Sequence, residues 1–434
     1  MRLPASSIAS MTGGTLSGPD VTVDGATIDS RQVRPGQLFV ALRGARDGHD
    51  FVDAAMKGGA AGALVEVLPR SGTSVVVGDT FAALTSLATA ARDMLPAQVI
   101  GVTGSVGKTS TKDLLAAALG RRWRVSASPM SFNNELGVPL TVLETPDDAE
   151  VVVVEMGARG RGHIAALCAV ARPSVGVVTT VGLSHAEFFG TLADVVEAKG
   201  ELVAALPADG TAVLNADVAL VAGMAARTPA RVLTFGLAAG DVRADRLALD
   251  DDLRPTFRLR SPWGDADVAL AVRGHHQVGN ALAAAAAALV CDTPLEQVAA
   301  GLGDARLSPW RMQLERSPSG ALVLNDTYNA NPLSVEAALR ALAELPGERR
   351  TALLGIMAEL GEIGAGEHAR LGALARDLGI RVIAVDAPAY GGEPAADAAE
   401  ALERLGPVGP GDAVLVKGSR AAGLESVAGT LAAS

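Results

Sequence analysis

The chain has 434 residues, 49% of them hydrophobic and 20% charged, with a formal net charge of −11. That length exceeds what one hydrophobic core usually supports, so two or three domains are expected. The acidic balance argues against broad nucleic-acid binding, which needs a basic face to displace counterions. Two cysteines, Cys168 and Cys291, are too few for a disulfide framework and have no metal-ligand spacing.

Residues 1–14 contain no basic segment followed by an apolar run, so no signal peptide is expected. The longest apolar run, 281–291, falls well short of the roughly 18 residues of a membrane helix. A cytoplasmic chain without membrane insertion, working as a monomer, is the expectation. Up to about residue 96 the chain offers short strand-like runs, 37–42 and 74–77 among them, with one helical piece near 51–59. From about 97 strands alternate with helices. Residues 99–102, 151–154, 175–181 and 212–214 are short, β-branched and bounded by turn residues, as buried strands are. The alanine-rich 278–290 reads as a closely packed helix. After Pro309, strands are expected at 321–324, 351–354, 381–385 and 413–416, with helices at 334–345 and 367–378. Such alternation implies parallel sheets covered on both faces. The fold class is therefore α/β, with domains over 1–96, 97–308 and 309–434.

The stretch Gln98-Val-Ile-Gly-Val-Thr-Gly-Ser-Val-Gly-Lys-Thr109 reads as a strand entering a glycine loop, with a helix continuing to Leu119. Gly104, Ser105, Val106, Gly107 and Ser110 would turn backbone N–H groups toward phosphate oxygens, helped by the helix N-terminus. Lys108 would reach the β- and γ-phosphates and the Thr109 hydroxyl would bind Mg²⁺. The common pattern has a glycine five positions before Gly107, where Val102 stands. A plain glycine turn is the bland alternative; strand, Lys-Thr and helix in sequence argue against it.

Mg²⁺ takes oxygen ligands. Glu155 follows the strand 151–154 and His185 follows the strand 175–181, so both sit where open α/β sheets gather ligands. Either alone would more often be structural, but their recurrence at two strand ends downstream of a phosphate loop favours a functional site. Only five of the 37 basic residues are lysine: Lys57, Lys108, Lys112, Lys199 and Lys417. Arginine serves where any positive charge will do, which points to lysine where a compact ammonium or a deprotonatable amine is needed.

At these residues the chain resembles the Mur ligases of bacterial cell-wall synthesis, and within them the dipeptide-adding branch. The resemblance covers nearly the whole chain. It is carried by Asp29-Ser-Arg31 and Asp47-Gly-His-Asp-Phe51, by the phosphate loop, and by Ser131-Phe-Asn-Asn-Glu135 and Glu155-Met-Gly-Ala-Arg-Gly160. Ser184-His185 with Glu197-Ala-Lys-Gly200, Asn325-Asp-Thr-Tyr-Asn-Ala-Asn-Pro332 and Lys417-Gly-Ser-Arg420 complete it.

The resemblance implies three domains: a small α/β N-terminal domain binding a UDP-sugar, a central P-loop ATPase-like parallel-sheet domain, and a Rossmann-like C-terminal domain. It implies a reaction in which ATP converts the carboxylate of UDP-MurNAc-tripeptide to an acyl phosphate that the amine of D-Ala-D-Ala attacks. Lys108, Asn134, His185 and Lys199 would be catalytic. Two Mg²⁺ ions would be held by Thr109, Glu155, His185 and a carbamylated Lys199. Read without the resemblance, Lys199 is a helical lysine and so a solvated surface charge.

Asn280 would meet the adenine, Arg311 a phosphate and Asp326 the ribose. Tyr328, Asn329, Asn331, Lys417 and Arg420 would line the site from the C-terminal domain. Ser30, Arg31 and His49 are candidates for the uridine end, with a structural turn as the alternative. Glu359 and His368 are further candidates for the dipeptide. Gln277 and Ile356, like Val102, depart from the family pattern. A folate-glutamate or single-amino-acid ligase is the near rival, disfavoured by residues 328–332 and 29–51. A regulatory P-loop ATPase is the distant rival; it would need neither His185 nor Lys199.

Overall fold

A computed structural model describes residues 1–182 and 186–433. Three principal sheets follow one another along the chain, each formed where sequence alternates buried runs with turns. The first has the strand order Thr15–Ser17, Ser74–Val76, Gly62–Val65, Leu38–Val40, Ala26–Thr27, parallel except for its first pair. Among the described residues no helix is long and apolar enough to cross a membrane.

The central sheet has nine strands. Its parallel part runs Arg231–Gly236, Thr211–Asn215, Val175–Val178, Gln98–Thr103, Val151–Glu155, Val125–Ala127. Gln98–Thr103 lies between Val151–Glu155 and Val175–Val178, and it is buried on both faces, with Val99 in one apolar cluster and Ile100 and Val102 in another, which suits its apolar run. Within this group Gly101 pairs with Gly176. A Cβ on Gly101 would come within 2.8 Å of a Leu202 methyl, and one on Gly176 within 3.1 Å of the same side chain. The two glycines thus let the helix Leu192–Ala204 settle close to the sheet, and that helix carries Lys199.

The far edge of this sheet is an antiparallel extension, Val242–Leu249, Pro255–Ser261 and Gly264–Ala269, which the sequence reading did not anticipate. The helix His276–Val290 buries every alanine from Ala283 to Ala288 and packs against the helix Lys108–Leu119, as its small side chains suggested.

The N-terminal sheet does not have a core wholly of its own. The helix Thr80–Met94 packs on the helices Gly137–Glu144 and His163–Ala171, and one apolar cluster runs through all three. Glu144 reaches back across this boundary, accepting from Ala26 N at 2.7 Å and Gln37 Nε2 at 2.8 Å and pairing with Arg34. Residue 96 therefore marks a change of sheet rather than a change of core.

The C-terminal sheet has the order Gln313–Arg316, Leu322–Asn325, Asp412–Lys417, Arg349–Gly355, Arg381–Val385, Glu393–Ala395, parallel except for its first pair. Separate apolar clusters cover its two faces. The helix Pro332–Glu344 begins in a capping box, with Asn331 accepting from Ser334 N at 3.0 Å and proline following it. Such a cap contributes about 1 kcal/mol and fixes where the preceding polar segment ends.

Candidate active site

A cavity of about 980 Å³ opens between the carboxyl ends of the central strands and the C-terminal sheet. Its floor is the phosphate loop. Gly104 and Gly107 have φ of +149° and +83°, which side chains rarely adopt, and a Cβ on either would collide with Thr179 or Asn280. Thr179 braces the loop from the next strand end, donating to Val106 O at 2.6 Å. Lys108 opens the following helix and donates to Gly104 O at 2.8 Å. Burial lowers its pKa; Glu155 opposes that shift and Arg311 adds to it.

Glu155 is the last residue of its strand and fully buried. One of its oxygens accepts from the Thr109 hydroxyl at 2.7 Å and the other from Asn133 Nδ2 at 2.7 Å. Arg311, arriving from beyond the central sheet, donates from Nη2 to the Thr109 hydroxyl at 2.8 Å and stacks on the Tyr328 ring at 4.1 Å. Its Nε is buried without a hydrogen-bond partner among the described residues. The glycine cradle, this unmet guanidinium donor and the hydroxyl–carboxylate pair together fit a nucleotide phosphate with a hard cation such as Mg²⁺.

Lys199 is 2% exposed, the reverse of the solvated lysine expected of an isolated helix position. Its ammonium faces the Phe189 ring at 6.0 Å. Burial first, then Lys108, pushes its pKa well below the ordinary lysine value, while Glu155 and Glu201 pull the other way. The amine is held toward its neutral, nucleophilic form. His185 lies outside the described residues.

Asn134 borders the cavity, but its Oδ1 accepts from Gly137 N at 2.9 Å and so is tied to the start of the next helix. It is Asn133 that reaches the carboxylate. Asn280 donates to Gln277 Oε1 at 2.8 Å on the cavity wall, so Gln277 takes part in fixing it. From the C-terminal side, Asp326 Oδ2 pairs with Lys417 at 2.5 Å and Oδ1 accepts from Met312 N at 3.1 Å. Lys417 also donates to Asn329 O at 2.8 Å. Tyr328 touches the Ser131 hydroxyl across the cavity. Arg420 stacks on Trp310 at 4.3 Å. The side chain of Asn331 is occupied by its helix cap.

The structure does not bring Ser30, Arg31 and His49 to this cavity. Arg31 is exposed and holds Asp29 through two contacts of 2.9 and 2.8 Å. His49 has both ring nitrogens engaged, with Asp47 at 2.6 Å and Glu66 N at 2.8 Å, as a structural turn requires. His368 is likewise committed: its Nε2 accepts from Met357 N at 3.0 Å and its ring packs edge-on to Tyr390 in the core. Glu359 does line the cavity, where it pairs with Arg159 at 3.0 Å.

Three family models match the chain: Mur ligase family, catalytic domain over residues 22–93; Mur ligase middle domain over 102–288; and Mur ligase, glutamate ligase domain over 310–420. A UDP-N-acetylmuramoyl-tripeptide--D-alanyl-D-alanine ligase of Mycobacterium bovis is 41% identical, covering 100% of this chain and 98% of that protein. The chain belongs to the Mur ligase family. Among solved structures, this Mur ligase superposes on MurF from Acinetobacter baumannii with a TM-score of 0.90 at 30% identity, covering 100% and 99% of the two chains. It superposes on MurF ligase from Thermotoga maritima in complex with ADP with a TM-score of 0.82 at 29% identity, covering 94% and 97%.

Sequence reasoning missed several cavity residues of this Mur ligase. Asn133 and Asn134 are adjacent and chemically equal, and only the turn decides which faces Glu155. Thr179 directly follows the strand Val175–Val178, but the expected strand runs on to 181 and so hides this strand-end position. Trp310 carries no sequence signal of its own and matters because Arg420 stacks on it, while Arg159, within the segment 155–160 that carries the family resemblance, meets Glu359 only across the cavity.

Proposed function

We propose that this Mur ligase joins D-alanyl-D-alanine to UDP-N-acetylmuramoyl-tripeptide, consuming ATP. The observation that carries the reading is the junction of Lys108, Thr109, Glu155 and Arg311 on one cavity wall with a buried Lys199 beside it. Such a group binds a polyphosphate and stabilises charge on a transferring phosphoryl. The relatives' names supply the two substrates to be joined.

A carboxylate is a poor electrophile. Its oxygen attacks the γ-phosphorus of ATP, ADP leaves, and the resulting acyl phosphate carries a good leaving group. The amine of the dipeptide then attacks the acyl carbon, inorganic phosphate departs with the former carboxylate oxygen, and the amine loses a proton. Lys108 and Arg311 offset the negative charge of the phosphates while the glycine loop orients them. Asp326, anchored by Lys417, is placed to accept from ribose hydroxyls. Tyr328 and Arg420 close the cavity from the C-terminal side, excluding water that would hydrolyse the acyl phosphate.

Mg²⁺ held by Thr109 and Glu155 would neutralise phosphate oxygens, and a second ion would call on His185 and Lys199. A neutral Lys199 amine would add to CO₂ and lose one proton to solvent, giving an anionic carbamate that the neighbouring Lys108 ammonium favours electrostatically. Residues 1–96, 97–308 and 309–434 would act as the UDP-sugar, ATP and closing domains, in the cytoplasm where both nucleotides are available. Phosphate release, followed with ATP and Mg²⁺ while the two substrates are added singly and together, tests this. Release only with both supports the ligase; release with ATP alone, indifferent to them, supports a plain ATPase.

A further inference from the structure

Three of the five lysines line the cavity and Lys57 stands on the surface, which leaves Lys112 without a role. It lies one turn beyond Lys108 on the same helix, with its side chain 3% exposed. Its ammonium donates to Ser128 O and to Met130 O, both at 2.7 Å, and lies 3.0 Å from Asp113 Oδ1. Three protons therefore meet three oxygens, the condition under which a buried ammonium is tolerated.

Each partner belongs to a segment that ends in the site. The Ser128 hydroxyl accepts from Glu155 N at 3.1 Å, and Met130 holds a left-handed φ of +47° that redirects the chain toward Asn133. On the other side, Asp113 Oδ2 accepts from Ser308 N at 2.7 Å, where the chain begins its approach to Trp310 and Arg311. The helix that starts at the phosphate loop thus grips both strands of approach, one through Lys112 and the other through Asp113. A planar guanidinium presents its donors in a fixed fork, whereas an ammonium serves converging carbonyls as a compact point.

We propose that Lys112 is a positioning residue: it holds residues 128–133 and, through Asp113, residues 308–311 in step with the phosphate loop. Asn133 and Arg311 then reach Glu155 and Thr109 together. This rests on reading the cavity as a magnesium-nucleotide site.

The test compares Lys112→Met and Lys112→Gln with the unaltered chain by calorimetric titration, with Mg²⁺·ADP and separately with the UDP-MurNAc-tripeptide acceptor. Lys112→Met is expected to weaken Mg²⁺·ADP binding by about tenfold or more, the usual effect of removing a group that orients metal ligands. Lys112→Gln, which keeps an uncharged amide donor for the carbonyls, should fall between. Acceptor affinity should stay unchanged in both. Equal Mg²⁺·ADP affinity in Lys112→Gln and the unaltered chain, or equal weakening for both ligands, overturns the inference. Failure of the unaltered chain itself to bind Mg²⁺·ADP overturns the reading of the site instead.

Discussion

Thr109 donates its hydroxyl to Glu155 at 2.7 Å, joining the first turn of the phosphate-loop helix to the end of the neighbouring parallel strand. Joined in this way, a hydroxyl and a carboxylate present oxygen ligands of the kind Mg²⁺ takes. Glu155→Gln keeps the shape and removes the anionic ligand. It is expected to lower kcat/KM by about a hundredfold or more, as losing one preorganised charge-stabilising group does. The half-saturating Mg²⁺ concentration, read from initial rates, should rise with it. Unchanged Mg²⁺ dependence would remove Glu155 from the metal site.

Lys199 is buried where a protonated amine is disfavoured. Lys199→Ala is expected to lose most activity, and short carboxylic acids at high concentration should restore part of it by replacing the missing anion. Lys199→Arg should stay inactive, because a guanidinium remains charged and forms no carbamate. Full activity in Lys199→Ala would take the carbamate out of the mechanism.

Lys417 and Asp326 form a pair in which the lysine side chain is 1% exposed and the aspartate 14%. Lys417→Met leaves the carboxylate half of a desolvated pair without its partner. The expected loss is about 3 kcal/mol of unfolding free energy, together with a higher KM for ATP. Urea unfolding and initial-rate measurements read the two effects separately.

His276 borders the cavity, and burial lowers its pKa from 6.5 to about 4; Lys417 and His275 add to the shift and Asp326 opposes it. The folded state therefore binds fewer protons than the unfolded chain between those values. Its contribution to stability is complete above pH 6.5 and is lost as pH falls toward about 4. Unfolding free energy measured across that window should fall less steeply in His276→Gln. An identical slope in both proteins would show that the ring stays solvated.

Much of this was legible from residue pattern. The strands at 151–155, 175–178 and 381–385 are runs of β-branched or aliphatic side chains between turns, and they lie within a few residues of where those runs place them. The strand Val242–Leu249 was not legible, because it sets arginines and aspartate among its apolar residues and is half-exposed although strands flank it on both sides. Nor was the core shared across residue 96, since it depends on where helix Thr80–Met94 docks. In the site, the phosphate loop and Glu155 follow from local order along the chain. The burial of Lys199 does not, because Gly101 and Gly176 permit it from strands far away in sequence. For His49 the pattern leaves both readings open, because a polar turn and a ligand site use the same residue types.

The central claim is that the acceptor carboxylate is phosphorylated before the amide bond forms. The direct measurement uses UDP-MurNAc-tripeptide labelled with ¹⁸O in its terminal carboxylate, with ATP, Mg²⁺ and D-Ala-D-Ala, and mass analysis of the released phosphate. The account predicts one labelled oxygen in phosphate for each amide bond made. Unlabelled phosphate alongside normal product would contradict it.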